Sequence, residues 1–175
     1  MARPTLILVT GPAGSGKTTL AHQLAAEIGC PVLSRDAIKE GMALSHPGFV
    51  ASTSDPLTLR TYGVFFEAMS LLLRADVTLV AEAAFQHRLW VQGLAPLDGL
   101  AALRIVRCAV PDEIARDRQQ RRLLAQSTRS AHADAEHLSR ATTFDPIQLD
   151  WPTLDVDTSD GWRPGLPAIA AFCRS

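Results

Sequence analysis

Residues 11–18, Gly11-Pro12-Ala13-Gly14-Ser15-Gly16-Lys17-Thr18, satisfy the pattern G-x-x-x-x-G-K-[ST], and their flanks narrow the fold further. A strand-like run, Thr5 to Thr10, leads into them, and a helix-like segment, Lys17 to Ile28, leads away. Glycine admits φ > 0 and carries no Cβ, so consecutive backbone N–H groups of such a turn can converge on phosphate oxygens. A helix starting at Gly16 adds its orphan N–H groups and the positive end of its dipole. The cradle expected here comprises Gly11, Ala13, Gly14, Ser15, Gly16, Lys17, Thr18 and Thr19. Lys17 is expected to reach the β- and γ-phosphates and the Thr18 hydroxyl to hold Mg²⁺. ATP with Mg²⁺ is the expected ligand. An ordinary Gly-rich turn would explain neither flank.

The remaining chain alternates strand-like and helix-like segments without internal repeats or linkers, which predicts one α/β domain over residues 1–175. The first helix carries Leu20, Leu24 and Ile28 on one stripe and stops at Gly29. Strands are expected at 31–33, 77–81 (with Glu82 at its end), 103–109 and 154–157. Residues 41–55 read as turn-rich. Ser54 or Asp55 then caps a helix with Pro56 at its first position and an apolar face of Leu59, Tyr62, Phe66, Met69 and Leu73. An arginine-rich helix opens at Pro111, a polar stretch follows to about residue 140, and a last helix covers 166–173.

Composition removes several classes. The net charge is −1, which argues against tight binding of long nucleic acid, where many phosphates must be neutralised. No apolar run approaches the ~20 residues needed to span a bilayer. Cys30, Cys108 and Cys173 form no C-x-x-C pair, so a reduced, cytoplasmic chain is expected. A GTPase would need an Asn-Lys-x-Asp motif, and the sequence contains no asparagine. A motor ATPase would normally end its third strand in paired acids, whereas here Glu82 stands alone. A compact kinase fits better.

Phosphoryl transfer to an alcohol requires a base, cations near the migrating phosphoryl group, and exclusion of water. Asp36 follows the second strand at the sheet edge where open α/β folds bind ligands, and is the candidate base, with helix capping as its other reading. Lys39, one turn later, is a candidate substrate contact or a solvated lysine. Arg118 and Arg122, four residues apart, share a helix face and are the candidate catalytic cations on a lid spanning about 116–140, with a solvated basic face as the alternative. The acceptor is expected near an insert at about 41–62, with Arg60, Glu82 and Arg88 as further contacts; Glu82 could also order a water on Mg²⁺. Phe85, His87 and Trp90 serve as packing or as a flat wall. His132, Asp134, Glu136 and His137 match no metal-ligand spacing.

The phosphate loop, the Ser34-Arg35-Asp36-x-x-Lys39 segment and the Arg118-x-x-x-Arg122 pair resemble one group of small kinases. It contains chloramphenicol phosphotransferase, the 5′-kinase domain of polynucleotide kinase and the zeta toxins. Leu154 to Ser159 is similar to the group's fifth strand and base-proximal loop. The resemblance implies a three-layer fold with five parallel strands ordered 2-3-1-4-5 and a small helical lid. It also implies an ATP·Mg²⁺ site with Asp36 as base, Lys17 and Thr18 on phosphate and metal, Arg118 and Arg122 as lid cations, and Asp157 near the nucleotide base. Lys39 stands where polynucleotide kinases have Arg. The expected activity is transfer of the γ-phosphate to a hydroxyl of a small molecule, an antibiotic or nucleoside-like compound. The alternatives are a kinase of 5′-hydroxyl polynucleotide ends, a zeta-toxin-like nucleotide-sugar kinase, and a nucleotide-binding module without transfer.

Overall fold

The computed structural model describes residues 3–52, 55–125 and 144–175. Five strands form one all-parallel sheet: β1 (Thr5–Thr10), β2 (Val32–Ser34), β3 (Leu79–Ala83), β4 (Ala102–Ala109) and β5 (Thr153–Asp157), in the order β2-β3-β1-β4-β5. The order matches the expectation. The helices are α1 (Lys17–Ile28), α2 (Arg35–Leu44), α3 (Pro56–Arg74), α4 (His87–Leu94), α5 (Asp112–Ala125) and α6 (Leu166–Arg174). No described helix is long and apolar enough to cross a membrane.

Strand periodicity divides the core between the two sheet faces. Leu6 and Leu8 of β1 pack with Phe65, Phe66, Met69 and Trp90 on one side. Ile7 and Val9 pack with Leu20, Leu24, Ile169 and Cys173 on the other. α3 and α4 therefore cover one face, and α1 and α6 the other. A continuously apolar β1 is what burial on both faces demands.

Several local expectations need correction. α2 runs on to Leu44, so the turn-rich stretch is shorter than 41–55. Leu59 is 80% exposed; the buried face of α3 is Leu57, Thr61, Phe65, Phe66, Met69 and Leu73. Asp55 is the cap, its carboxylate accepting from the Thr58 amide at 3.0 Å. β3 starts two residues later than predicted, so Glu82 lies inside a strand, in register with Val9 and Ser34. α4 has no counterpart in the sequence reading. The part of the proposed lid beyond residue 125, with His132, Asp134, Glu136 and His137, lies outside the described residues.

Candidate active site

The carboxyl end of β1 delivers the chain into the phosphate loop at the centre of the sheet. Gly11, Gly14 and Gly16 all have positive φ, at 155°, 80° and 77°. Gly11 and Gly16 are motif positions, but Gly14 falls where the motif allows any residue. A Cβ there would lie 2.3 Å from the Ala115 carbonyl oxygen, because α5 packs directly on the loop. Gly16 begins α1 with no side-chain cap, so the first-turn amides of Lys17, Thr18 and Thr19 remain for an anion. Lys17 is 8% exposed. Beneath the loop, burial pushes the Cys108 thiol up to about 12, against the smaller opposing effect of Lys17, so it stays protonated. Ala13 and Thr19 are exposed, and Ser15 is fully buried.

From the loop, a hydrogen-bonded chain runs to the start of α2, the helix that carries the candidate base. Thr18 Oγ1 donates to Glu82 Oε1 at 3.3 Å, and Ser34 Oγ donates to the same oxygen at 2.6 Å. Ser34 Oγ in turn accepts from the Ala37 amide at 3.3 Å, capping α2. The cap is therefore Ser34, not Asp36. Asp36 occupies the first turn of α2, its side chain 38% exposed and paired with Arg35 Nη1 at 3.0 Å. Glu82 is 1% exposed, a carboxylate buried among hydroxyl groups at the mouth of the phosphate loop. With its proton donated to Glu82, the Thr18 oxygen keeps lone pairs for a cation, and the buried carboxylate stands behind it. Such hard oxygen donors suit Mg²⁺.

The predicted contacts divide by location. Lys39 is 3% exposed and donates to Asp55 Oδ2 at 2.7 Å and Thr58 Oγ1 at 3.0 Å, so its charge is spent in riveting α2 to α3 rather than facing an acceptor. Arg118 lies across the loop, its guanidinium donating to the carbonyls of Gly14 (3.4 Å), Thr158 (2.7 Å) and Ser159 (2.9 Å). Arg122 is half-buried one turn further along α5. Arg60 and Arg88 are exposed, on α3 and α4 respectively. Asp157 is exposed at the end of β5, where bonds from the Ser159 side chain and amide hold its carboxyl below the usual range.

Phe85 and Trp90 belong to the core. Trp90 is fully buried, its ring 5.2 Å from that of Phe85, and its Nε1 donates to Thr10 Oγ1 at 3.2 Å. His87 accepts from the Gln148 amide at Nδ1 (3.1 Å). Two residues the sequence did not single out also touch the loop: Gln119 donates to the Ala13 carbonyl at 2.8 Å, and Thr158 Oγ1 to the Ser15 carbonyl at 2.7 Å. For Gln119 the available signal was its place beside Arg118 on α5; for Thr158 there was none beyond its position after β5.

Fold and phosphate loop together define a P-loop kinase. A family profile described as an AAA domain (AAA_33) matches residues 6–147, and the chain belongs to that family. Among solved structures it is similar to a Chloroflexus aurantiacus protein assigned as a kinase, at 27% identity and TM-score 0.83, covering 99% of this chain and 98% of that one. It is also similar to the APS kinase CysC of Mycobacterium tuberculosis, solved with AMPPNP and APS (20% identity, TM-score 0.66, 100% of both chains). A sugar kinase from a Janibacter species shares the fold at 20% identity and TM-score 0.62, over 97% of this chain and 91% of that one. No curated protein matches the chain.

Proposed function

We propose that the chain is an ATP-dependent O-phosphotransferase that moves the γ-phosphate to a hydroxyl of a small molecule, with Asp36 as general base. The chain Thr18–Glu82–Ser34–Ala37 carries this reading, because it fixes the start of α2, and so Asp36, relative to the phosphate loop. Asp36 is partly solvent-exposed, as a base that must meet an incoming alcohol has to be. It accepts the hydroxyl proton while the acceptor oxygen bonds to the γ-phosphorus and the bond to the β–γ bridging oxygen breaks, releasing ADP. Lys17 offsets charge on the phosphates, and Arg122 of α5 is the cation we assign to join it. Thr18 and Glu82 would hold Mg²⁺, which supplies charge neutralisation at the β- and γ-oxygens when bound.

The antibiotic-like or nucleoside-like acceptor, and the grouping with chloramphenicol phosphotransferase and the zeta toxins, belong to the same proposal. ADP release from Mg·ATP over a panel of hydroxylated metabolites, antibiotics and 5′-hydroxyl oligonucleotides tests it. Asp36→Asn is expected to lower kcat by at least about 100-fold with ATP affinity retained. Unchanged turnover in that variant would remove Asp36 as base; no turnover with any acceptor would leave a binding module. An oligonucleotide acceptor would show itself by affinity that falls steeply with salt.

A further inference from the structure

Three successive carbonyls of the phosphate loop accept hydrogen bonds from side chains outside the loop. Gln119 serves Ala13, Arg118 serves Gly14, and Thr158 serves Ser15. In a planar trans peptide the carbonyl and the following N–H point in opposite directions. Holding the Ala13 carbonyl toward α5 therefore aims the Gly14 amide away from it, and holding the Ser15 carbonyl aims the Gly16 amide. The middle amide is used differently, since Ser15 N–H closes a turn on the Pro12 carbonyl at 3.2 Å.

We infer that Gln119 and Thr158 are positioning residues that set the direction of the Gly14 and Gly16 amides for an incoming triphosphate. The inference rests on the nucleotide-binding reading above. Thr158 is 4% exposed, and its hydroxyl has one proton for two carbonyls within reach, Ser15 at 2.7 Å and Ala109 at 3.1 Å. The Ser15 carbonyl is the nearer of the two, and the Ala109 carbonyl has the Thr158 amide as a donor at 2.9 Å, so the hydroxyl proton is assigned to Ser15. Gly14 supports the same assignment. A Cβ at Gly14 would lie 2.3 Å from the Ala115 carbonyl oxygen, so only glycine lets the α5 backbone sit this close, and from there Gln119 and Arg118 bond the loop.

The test is calorimetric titration of the full chain with Mg·AMPPNP, alongside steady-state kinetics. Thr158→Val keeps the shape but leaves the Ser15 carbonyl without its donor, and is expected to weaken AMPPNP binding about tenfold. Thr158→Ser restores the hydroxyl and is expected to bind within about twofold of the parent chain. KM for ATP rises in the valine variant, while KM for the acceptor stays put. Should Thr158→Val fail to fold, Gln119→Ala decides, with affinity expected to fall about threefold. Parental affinity in Thr158→Val, or in Gln119→Ala where the valine variant does not fold, overturns the inference, as does a serine variant as weak as the valine one. If the parent chain binds AMPPNP and the valine variant weakens it, yet no acceptor turns over, the inference stands and the transferase reading falls. If the parent chain binds no AMPPNP, both fall.

Discussion

Lys39 shows how far a single residue can be read from its neighbours in sequence. One turn after Asp36 it looks like a substrate contact; its partner Asp55 is 16 residues away, across a turn that sequence patterns leave undefined. Both side chains are nearly sealed from solvent, at 4% and 3% exposure. Burial alone would push the Asp55 carboxyl up, but the Lys39 bond and charge, with the Thr58 and Ser52 amides, bring it below the usual range. A carboxyl with a lowered folded pKa contributes stability that is complete above its unfolded value of about 3.9 and is lost as pH falls through the folded one. Lys39→Met leaves a buried unpaired carboxylate and is expected to cost about 3–5 kcal/mol near neutral pH. It should also abolish the loss of stability below about pH 4 that Asp55 contributes. Urea unfolding at pH 7 and at pH 3 measures both, and a variant as stable as the parent would return Lys39 to the acceptor side. Ser34 was legible only as the opening residue of the Ser34-Arg35-Asp36 segment, with no role of its own; its hydroxyl matters because Glu82, from another strand, accepts from it.

At the scale of elements, motif and periodicity made α1, the strands and α6 legible, since each buries a regular apolar stripe. α4 escaped because its signal is tertiary. It has no capping side chain at Gln86, and it carries a glycine in its last turn. That glycine is required by packing: a Cβ on Gly93 would lie 2.1 Å from the Phe66 ring. The ring cannot swing aside cheaply, because Tyr62, Phe65, Phe85 and Trp90 surround it at centroid distances of 4.9 to 6.0 Å. The same closeness lets Trp90 reach Thr10 at the foot of the phosphate loop. Gly93→Ala is thus expected to destabilise the fold by about 1–3 kcal/mol, although alanine is the better helix former. Thermal melting decides the sign; a raised Tm would mean that α4 is not pressed against α3 as described. Leu59 failed for a related reason. The predicted stripe of α3 holds from Tyr62 through Phe66, Met69 and Leu73, but in the first turns the buried side chains are Leu57 and Thr61, and sequence alone does not give that shift.

At the scale of the whole molecule, the site is assembled from segments far apart in the chain. Thr18 follows β1, Ser34 ends β2, Glu82 lies in β3, Gln119 is on α5 and Thr158 follows β5. A parallel sheet brings all their carboxyl ends to one edge, so the fold class predicted from alternation already implied where a site would form. It did not imply the pairing of Thr18 with Glu82, which needs the register Val9–Glu82–Ser34. That pairing makes a prediction about metal. Ligand binding to the folded chain alone stabilises it, by about 2.7 kcal/mol at one hundred times Kd, which for a chain of this length is a rise in Tm on the order of 5–10 °C. AMPPNP with Mg²⁺ should raise Tm further than AMPPNP alone. Glu82→Gln keeps an oxygen that can accept from Thr18 and Ser34 but removes the charge behind the cation. Its Mg²⁺-dependent increment is expected to shrink, with the Mg²⁺-free shift retained, because the amide cradle is untouched. An undiminished increment in Glu82→Gln would place the metal-holding charge elsewhere. Loss of both shifts would mean that Glu82 supports the loop itself rather than the cation.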